Sequence, residues 1–235
     1  MRLDIYLTKK LNIQSRNKAQ ELIKSDKVFV NNTIVKKPSF IVEDNFIVTI
    51  DQEQFYVSRA AYKLKYFLED NDINLVNKIA LDIGSSTGGF TQVLLLNDVE
   101  SITCVDVGSN QLHHSIKKDK RIVVKENTDI REFKSNNKFD VVTCDVSFIS
   151  ILNIIEDIDR LSSNKIIILY KPQFEVGRNI KRDSKGMVLD LKAMQVCRDQ
   201  FILKTQELGW NLIKSQQSKL AGKSGNVEEL FYFNI

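Results

Sequence analysis

The stretch LDIGSSTGGF, residues 81–90, decides how the larger part of this chain is expected to fold. Its apolar start is typical of a buried strand, and Gly84, Gly88 and Gly89 allow the backbone of the following turn to come close to a ligand. The turn departs from a P-loop because Phe90 follows Gly89, where that motif has lysine. The sequence therefore predicts a glycine loop that holds a ligand other than a phosphate.

Short apolar runs around this loop alternate with helical stretches from about residue 58 onward. The strand candidates are rich in β-branched residues: KIALDIG (78–84), SITCVDVG (101–108), RIVVKEN (121–127), KFDVVTCDVS (138–147) and KIIILYKP (165–172). Near-continuous apolar runs indicate strands buried on both faces, and their alternation with helices favours a doubly wound α/β fold with a parallel sheet. Such sheets bind ligands at the carboxyl ends of their strands.

Acidic residues end three consecutive predicted strands, at Asp82, Asp106 and Asp129. A dinucleotide site stays open as an alternative because Asp106 could bond a ribose hydroxyl, although the glycine spacing is G-x-x-x-G-G. S-adenosylmethionine suits the acids better because it carries a sulfonium and an ammonium group and no phosphate. We expect this cofactor to be held by Asp82, Gly84, Ser85, Gly88, Gly89, Phe90, Asp106, Asp129 and Asp145.

The positive charge of the chain is concentrated at its start. Residues 1–50 hold nine Lys or Arg and five Asp or Glu, whereas the remaining residues hold 25 of each sign. That asymmetry indicates a separate module that faces a polyanion, although a mildly basic solvated face is the plainer interpretation of charge alone.

The helix and strand patterns of residues 1–50 also indicate a separate module. RLDIYLTKKL places Leu3, Leu7 and Leu11 on one helical face, Ser15 can cap a second helix, and Asn31-Asn32 in KVFVNNTIV suits a hairpin turn. With KPS and NFIVTI, this order resembles the alpha-L RNA-binding domain of a small-subunit ribosomal protein, although Asn32 stands where that family commonly has glycine. The resemblance implies RNA contacts by Arg2, Arg16, Lys18 and Lys24, to which we add Arg59.

Composition excludes several other classes. With two histidines and three scattered cysteines, we expect no metal site. The odd number of cysteines fits a reducing cytoplasm. We also expect no membrane span, because no uncharged apolar run approaches the roughly 20 residues that one needs. No obligate protein partner is evident.

Two lysines stand out among the residues that could direct methyl transfer. The fourth strand ends in DVSF, without the prolines typical of enzymes that methylate base amines, and Cys144 on that strand is better explained as core than as a nucleophile. Lys63 lies in SRAAYKLKYF, Lys171 precedes a proline in LYKPQFEVGR, and Glu228 begins the last strand in SGNVEELFYF.

With Asp145, these residues resemble in order the Lys-Asp-Lys-Glu set of FtsJ-like RNA 2′-O-methyltransferases. The whole chain resembles the TlyA (haemolysin A) family of ribosomal RNA methyltransferases through YVSRAAYKL, LDIGSSTGGFT, CDVSFIS, KPQFEVG and GKSGNVE. The resemblance implies a class I S-adenosylmethionine-dependent methyltransferase with a mostly parallel seven-stranded sheet. Glu229 remains an alternative to Glu228, and Asp129 stands where relatives often have asparagine.

The resemblance also sets the expected organisation and substrate. We predict an RNA-binding domain at 1–50, a linker at 51–57 and a methyltransferase domain at 58–235. The implied substrate is a cytidine ribose in ribosomal RNA or a ribosomal subunit. The resemblance implies that forms acting on both subunits carry small extensions at the two ends. Because the patterns here run close to both ends of the chain, we expect action on the large subunit only. A membrane-active cytolysin and a catalytically silent assembly factor are the alternatives.

Overall fold

The computed structural model describes residues 1–50, 56–177 and 179–235. The chain forms two compact units, Met1–Phe55 and Tyr56–Ile235. Residues 51–55 of the predicted linker lie outside the described residues. Its last two residues, Tyr56 and Val57, are buried, and the backbone N–H of Val57 donates to Gln92 in the second unit.

The first unit is built as the sequence pattern predicts, from two helices and a small antiparallel sheet with strand order β2-β1-β3. Its elements are α1 Leu3–Lys10, α2 Arg16–Lys24, β1 Val28–Val30, β2 Thr33–Ile34 and β3 Val48–Ile50. Ser15 caps α2 by accepting a hydrogen bond from the backbone of Lys18. Asn31 and Asn32 both have positive φ in the hairpin turn, which confirms the prediction for that pair.

The prediction that Leu11 shares one helical face with Leu3 and Leu7 is wrong. Leu11 follows the last residue of α1 with a non-helical backbone, so it does not continue the face of Leu3 and Leu7, and it is 37% exposed. Ile13 fills the corresponding place in the core with Leu3, Leu7 and Ile23.

The second unit contains a seven-stranded sheet with the order β6-β5-β4-β7-β8-β10-β9. The strands are β4 Ile79–Ile83, β5 Ser101–Val105, β6 Ile122–Lys125, β7 Phe139–Cys144, β8 Ser162–Tyr170, β9 Asn211–Gln217 and β10 Glu229–Asn234. The helices are α3 Arg59–Asn71, α4 Gly89–Leu96, α5 His114–Lys117, α6 Ile155–Leu161, α7 Pro172–Glu175 and α8 Leu191–Glu207, with a 3-10 turn at Ile151–Asn153.

Five of these strands run parallel, and β10 lies antiparallel between β8 and β9. The predicted doubly wound, mostly parallel sheet is therefore confirmed. The central strands are buried on both faces, which explains their near-continuous apolar sequences. Phe201 of α8 packs its ring against Tyr170, Phe231 and Phe233, which fixes β10 in the middle of the core.

The topology brings the carboxyl ends of the parallel strands to one edge. The backbone of Gly84 donates to Val105 at the end of β5, and the backbone of Asp145 donates to Ile83 at the end of β4. The loops after β4, β5 and β7 are thereby joined by main-chain hydrogen bonds. Side chains from distant parts of the sequence meet at this edge, as expected for a parallel sheet.

Candidate active site

A cavity of about 360 Å³ opens at the carboxyl ends of β4, β5 and β7. Its lining includes four residues of the predicted cofactor set: Gly84, Asp106, Asp129 and Asp145. The volume lies within the range of small-molecule sites in proteins. The three carboxyl groups make the cavity suitable for a ligand with positive charge and hydroxyl groups.

The turn after β4 approaches its neighbours too closely for a side chain. Gly84 has φ +76°, and a Cβ built there would lie 2.7 Å from the backbone oxygen of Asp145. Gly88, the residue before α4, has φ +91°, and its Cβ would meet the side chains of Leu112 and Ile116. Both glycines are required by backbone conformation and by space.

Two acids are fixed at the wall of the cavity. Asp106 accepts hydrogen bonds from the backbone N–H groups of Ser86 at 2.8 Å and Gly108 at 2.7 Å, which tie the β4 loop to the β5 loop. Asp129 pairs with Arg131, and the hydrogen bonds from that guanidinium lower the pKa of Asp129 to about 2. The Asp129 carboxylate is therefore ionised at neutral pH.

Five residues of the predicted cofactor set do not line the cavity: Asp82, Ser85, Gly88, Gly89 and Phe90. Asp82 is fully buried, and its carboxylate oxygens accept from the Thr91 hydroxyl at 2.6 Å and the Thr143 hydroxyl at 2.8 Å. Burial raises the pKa of Asp82 to about 6, although both hydroxyl donors oppose the shift. The expectation of direct contact is corrected for Asp82, because it lies beneath the loop and joins β4 to α4 and β7.

The other four residues, Ser85, Gly88, Gly89 and Phe90, support the loop after β4 without lining the cavity. Ser85 and Phe90 are buried, and a Cβ on Gly89 would overlap the Ser58 hydroxyl at the start of α3. Gly88 and Gly89 let α4 begin close to its neighbours. These residues shape the cavity through the backbone.

Lys171 and Asp145 form the first of two lysine–carboxylate pairs at this edge. Lys171 is 9% exposed, and its Nζ lies 2.6 Å from Asp145 Oδ1, an ion pair without the alignment of a hydrogen bond. The same Nζ donates to the Ser147 hydroxyl at 3.1 Å. A buried ammonium group needs such partners because desolvation alone would favour its neutral form.

Lys63 and Glu228 form the second pair, with Nζ 2.5 Å from Oε2 and both side chains buried. Gln173 donates from Nε2 to the other carboxylate oxygen of Glu228 at 2.9 Å. A Cβ on Gly222 would lie 2.5 Å from that same oxygen, so the glycine leaves room for the carboxylate. Because Gln173 lies two positions after Lys171, α7 connects the two pairs.

The two adjacent glutamates of β10 point to different partners. Glu229 stands opposite Tyr170 in the β10–β8 register and makes two 2.8 Å hydrogen bonds with the Arg198 guanidinium. Successive side chains of an extended backbone point to opposite faces, and the preceding residue, Glu228, pairs with Lys63. The structure therefore brings Glu228, and not Glu229, to Lys63.

Phe148 lines the cavity and was not among the residues singled out from the sequence. It is 91% exposed, its φ is +67°, and its ring lies 5.1 Å from that of Phe174. A bulky residue in this backbone conformation is uncommon and is often associated with function. The aromatic residue that ends DVSF is the signal in the sequence that points to this position.

Cys144 is buried in β7, and burial raises the pKa of its thiol well above its usual range. A thiol of this kind is inert, in agreement with its interpretation as core. Among the described residues, no group of three His, Cys, Asp or Glu side chains is placed to hold a metal ion.

In the first unit, the buried carboxylate of Asp4 organises two of the predicted RNA-binding residues. It accepts hydrogen bonds from Arg2 at 3.1 Å, from Arg16 at 2.8 Å and from Gln20 at 3.2 Å. The hydrogen bonds from Arg2 are the main reason that the pKa of Asp4 lies well below its usual range. Arg2 and Arg16 are thus held in fixed positions while about half of each side chain stays exposed.

Two further RNA-binding candidates belong to α2, and the third belongs to the second unit. Lys18 pairs with Glu21 on α2 at 2.9 Å, and Lys24 is exposed at the end of the same helix. Arg59 belongs to the second unit, where its guanidinium donates to the backbone oxygen of Ala221 at 2.9 Å.

Comparison with known proteins gives two family matches. Residues 56–235 match the model of the FtsJ-like methyltransferases, and residues 1–46 match that of the S4 domain. A 23S rRNA (cytidine-2′-O)-methyltransferase TlyA from Campylobacter jejuni is 48% identical, with 99% of both chains covered.

Two further relatives are less similar. A 16S/23S rRNA (cytidine-2′-O)-methyltransferase TlyA from Mycobacterium tuberculosis is 37% identical over 97% of this chain and 87% of its own length. The crystal structure of a hemolysin candidate from Lactococcus lactis superposes with a TM-score of 0.72 at 33% identity, covering 77% of this chain and 89% of the other.

Proposed function

Because this chain belongs to the FtsJ-like methyltransferases and, within them, to the TlyA family, we propose that it methylates the 2′-hydroxyl of a cytidine in ribosomal RNA. Its cofactor is S-adenosylmethionine. The observation that carries the proposal is a set of two buried lysine–carboxylate pairs, linked through α7, of which one includes Asp145 of the acid-lined cavity. Since ribosomal RNA is the substrate, the enzyme acts in the cytoplasm.

The residues of the cavity fit S-adenosylmethionine. Asp106 and Asp129 offer carboxylate oxygens to hydroxyl and amino groups, and Gly84 leaves the backbone bare where a ligand must approach. The negative charge of the wall favours the positive groups of this cofactor. When bound, the cofactor supplies a methyl group on a positively charged sulfur.

Lys171 is the residue that we propose to act on the ribose hydroxyl. A 2′-hydroxyl is a weak nucleophile at neutral pH, so catalysis requires stabilisation of the negative charge that develops on its oxygen. The Lys171 ammonium can donate to that oxygen, while Asp145 and Ser147 hold the lysine in place. The hydroxyl proton is released to solvent as the oxygen–carbon bond forms. Lys63 adds a second positive charge, and Glu228 and Gln173 orient it.

Phe148 is the proposed stacking surface for the target base. We expect Phe148→Ala to weaken binding of the RNA substrate by about 5- to 150-fold, because base–aromatic stacking contributes roughly 1–3 kcal/mol. Because Phe148 also lines the cavity, the affinity for S-adenosylmethionine must be measured separately. KM for RNA, measured beside the Kd of the cofactor, tests this, with Phe148→Tyr as the control that keeps a ring. Equal KM values for wild type and Phe148→Ala would contradict the stacking role.

We propose the large ribosomal subunit as the target. The C. jejuni relative, named for 23S rRNA alone, matches this chain over 99% of both lengths, whereas the relative named for 16S and 23S rRNA is less similar. The cytolysin alternative has little support: among the described residues, no helix is long and apolar enough to cross a membrane. The silent assembly factor is disfavoured because all four residues of the proposed catalytic set are present and paired.

Nucleotide-resolution mapping of 2′-O-methylation tests this proposal. Ribosomal RNA from cells with and without the gene should differ at one cytidine of 23S rRNA. Purified enzyme with labelled S-adenosylmethionine should restore that methyl group on subunits from the deletion strain. A gene-dependent methyl group in 16S rRNA would overturn the restriction to the large subunit, and no gene-dependent methyl group in either RNA would overturn the function.

A further inference from the structure

Cations are concentrated on three segments of the second unit, although residues 51–235 as a whole are electrically balanced. The segments 58–66, 177–189 and 219–227 together hold nine Lys or Arg and one Asp. Two of these nine are Lys63 and Arg59, which have been described above. A solvated surface of average composition would show both signs, so this clustering calls for an explanation.

Hydrogen bonds join two of these segments into one surface. Asn226 is 3% exposed, and its Oδ1 accepts from the backbone of Val188 while its backbone oxygen accepts from Gly222. The hairpin closed by the bridge between Arg182 and Val188 is thus fixed to the loop before β10. Arg59 binds the backbone oxygen of Ala221 in that same loop.

This surface borders the proposed catalytic set. Arg182 donates to the backbone oxygen of Gln173, whose side chain binds Glu228, and Gly222 lies against the carboxylate of Glu228. Lys181, Lys185 and Lys223 are exposed here, and none of them forms an ion pair with a described residue.

We propose that Lys181, Lys185, Lys223 and Arg59, here called the cationic rim, bind the RNA phosphates on either side of the target nucleotide. The inference rests on the proposed function and extends it, because it adds three lysines to Arg59, the residue of the second unit for which RNA contact is expected from the sequence. Every ribose in RNA is flanked by phosphates, so a cluster of free ammonium groups beside the catalytic lysines suits that ligand. Each such contact adds affinity that depends on salt.

The test uses the full chain with Lys181, Lys185 and Lys223 replaced by alanine. Binding to large ribosomal subunits is measured at several salt concentrations. Three lost phosphate contacts should lower the slope of log affinity against log salt by about 2, since each contact to a single strand contributes about 0.7. At low salt the affinity should fall at least about tenfold, while S-adenosylmethionine binding and the melting temperature stay unchanged.

A matched variant controls for loss of charge. Lys120, Lys134 and Lys138 are also exposed, but they precede β6 and β7 and so lie toward the amino ends of the strands, opposite the site. Replacing these three by alanine should leave the salt slope nearly unchanged. If the two triple variants show the same affinity and the same salt slope, the proposed role of the cationic rim is overturned.

Two further outcomes distinguish a failure of RNA binding by the cationic rim from a failure of the proposed methyltransferase function. Normal RNA binding by the rim variant, together with lost binding to vesicles containing phosphatidylglycerol, would overturn RNA as the ligand in favour of an anionic membrane. If the wild-type enzyme does not methylate ribosomal RNA, the proposed function fails, whatever the rim binds. Reduced affinity and slope in the rim variant alone, with an active wild type, support the inference.

Discussion

Lys171→Ala is expected to reduce methyl transfer by at least about 100-fold, or roughly 2.7 kcal/mol of activation free energy, while S-adenosylmethionine binds nearly as before. Alanine removes the ammonium group proposed to stabilise the ribose oxygen, but it leaves the cavity lining intact, because Lys171 is not among the lining residues. Single-turnover rates with saturating RNA and cofactor measure the chemical step directly. Isothermal titration with S-adenosylmethionine gives the cofactor affinity.

The same strand offers a control for this variant. Lys165 lies near the beginning of β8, opposite Asn234, far along the strand from the site, so Lys165→Ala should leave the rate unchanged. Lys171→Arg keeps the charge but places a planar group where a compact ammonium is needed, and we expect it to remain strongly impaired. If Lys171→Ala retains more than a tenth of the wild-type rate, the proposed role of Lys171 is wrong.

Gly84→Val is expected to lower the affinity for S-adenosylmethionine at least about 100-fold, which corresponds to roughly 2.7 kcal/mol. Valine is strained at φ +76°, and its Cβ would lie 2.7 Å from the backbone oxygen of Asp145. Relief of that contact must move the β4 loop away from the β7 loop, and both loops line the cavity. Titration calorimetry of the purified variant measures the loss.

A second glycine separates the effect of backbone strain from the effect of the position beside the cavity. Gly209 has φ +79°, close to that of Gly84, but a Cβ there meets no atom within 4 Å. Gly209→Val should therefore lose stability through backbone strain and still bind the cofactor normally. Thermal melting of both variants identifies the folded fraction. If Gly84→Val binds as tightly as Gly209→Val, the close approach of the two loops is irrelevant to cofactor binding.

The parts of the fold that could be predicted are those with a strong local pattern. The central parallel strands β4, β7 and β8 are largely buried, so each has a nearly continuous apolar sequence. The edge strand β6 keeps the apolar run IVV although its residues are half-buried or exposed, so the expectation of burial on both faces is wrong there. By contrast, α8 and β9 were not identified, because α8 buries little beyond Phe201 and Thr205 and β9 is an edge strand exposed along most of its length. Such elements are held by tertiary contacts, and their own sequences show little periodicity.

The site was predictable in kind but not in detail. That Asp106 lines the cavity follows from its place after a strand, whereas Asp82 sits within its strand and points into the interior. No spacing rule in the sequence tells whether an aspartate points to the cavity or into the interior. The lysines and carboxylates come from segments far apart in sequence, so their pairing depends on the order of strands in the sheet. Only the resemblance to a family made Glu228 preferable to Glu229 before the register was known.

The position of β10 has a consequence for how activity arises during synthesis. This strand inserts between β8 and β9, which precede it in the chain, and it carries Phe231 and Phe233 into the core just after Glu228. Glu228 must find Lys63 across 165 positions of sequence. Long-range pairings of this kind form late, because the chain entropy they cost is recovered only when they close. A nascent chain that has not inserted β10 lacks both a completed core and the proposed catalytic set, so the insertion of this one strand completes both.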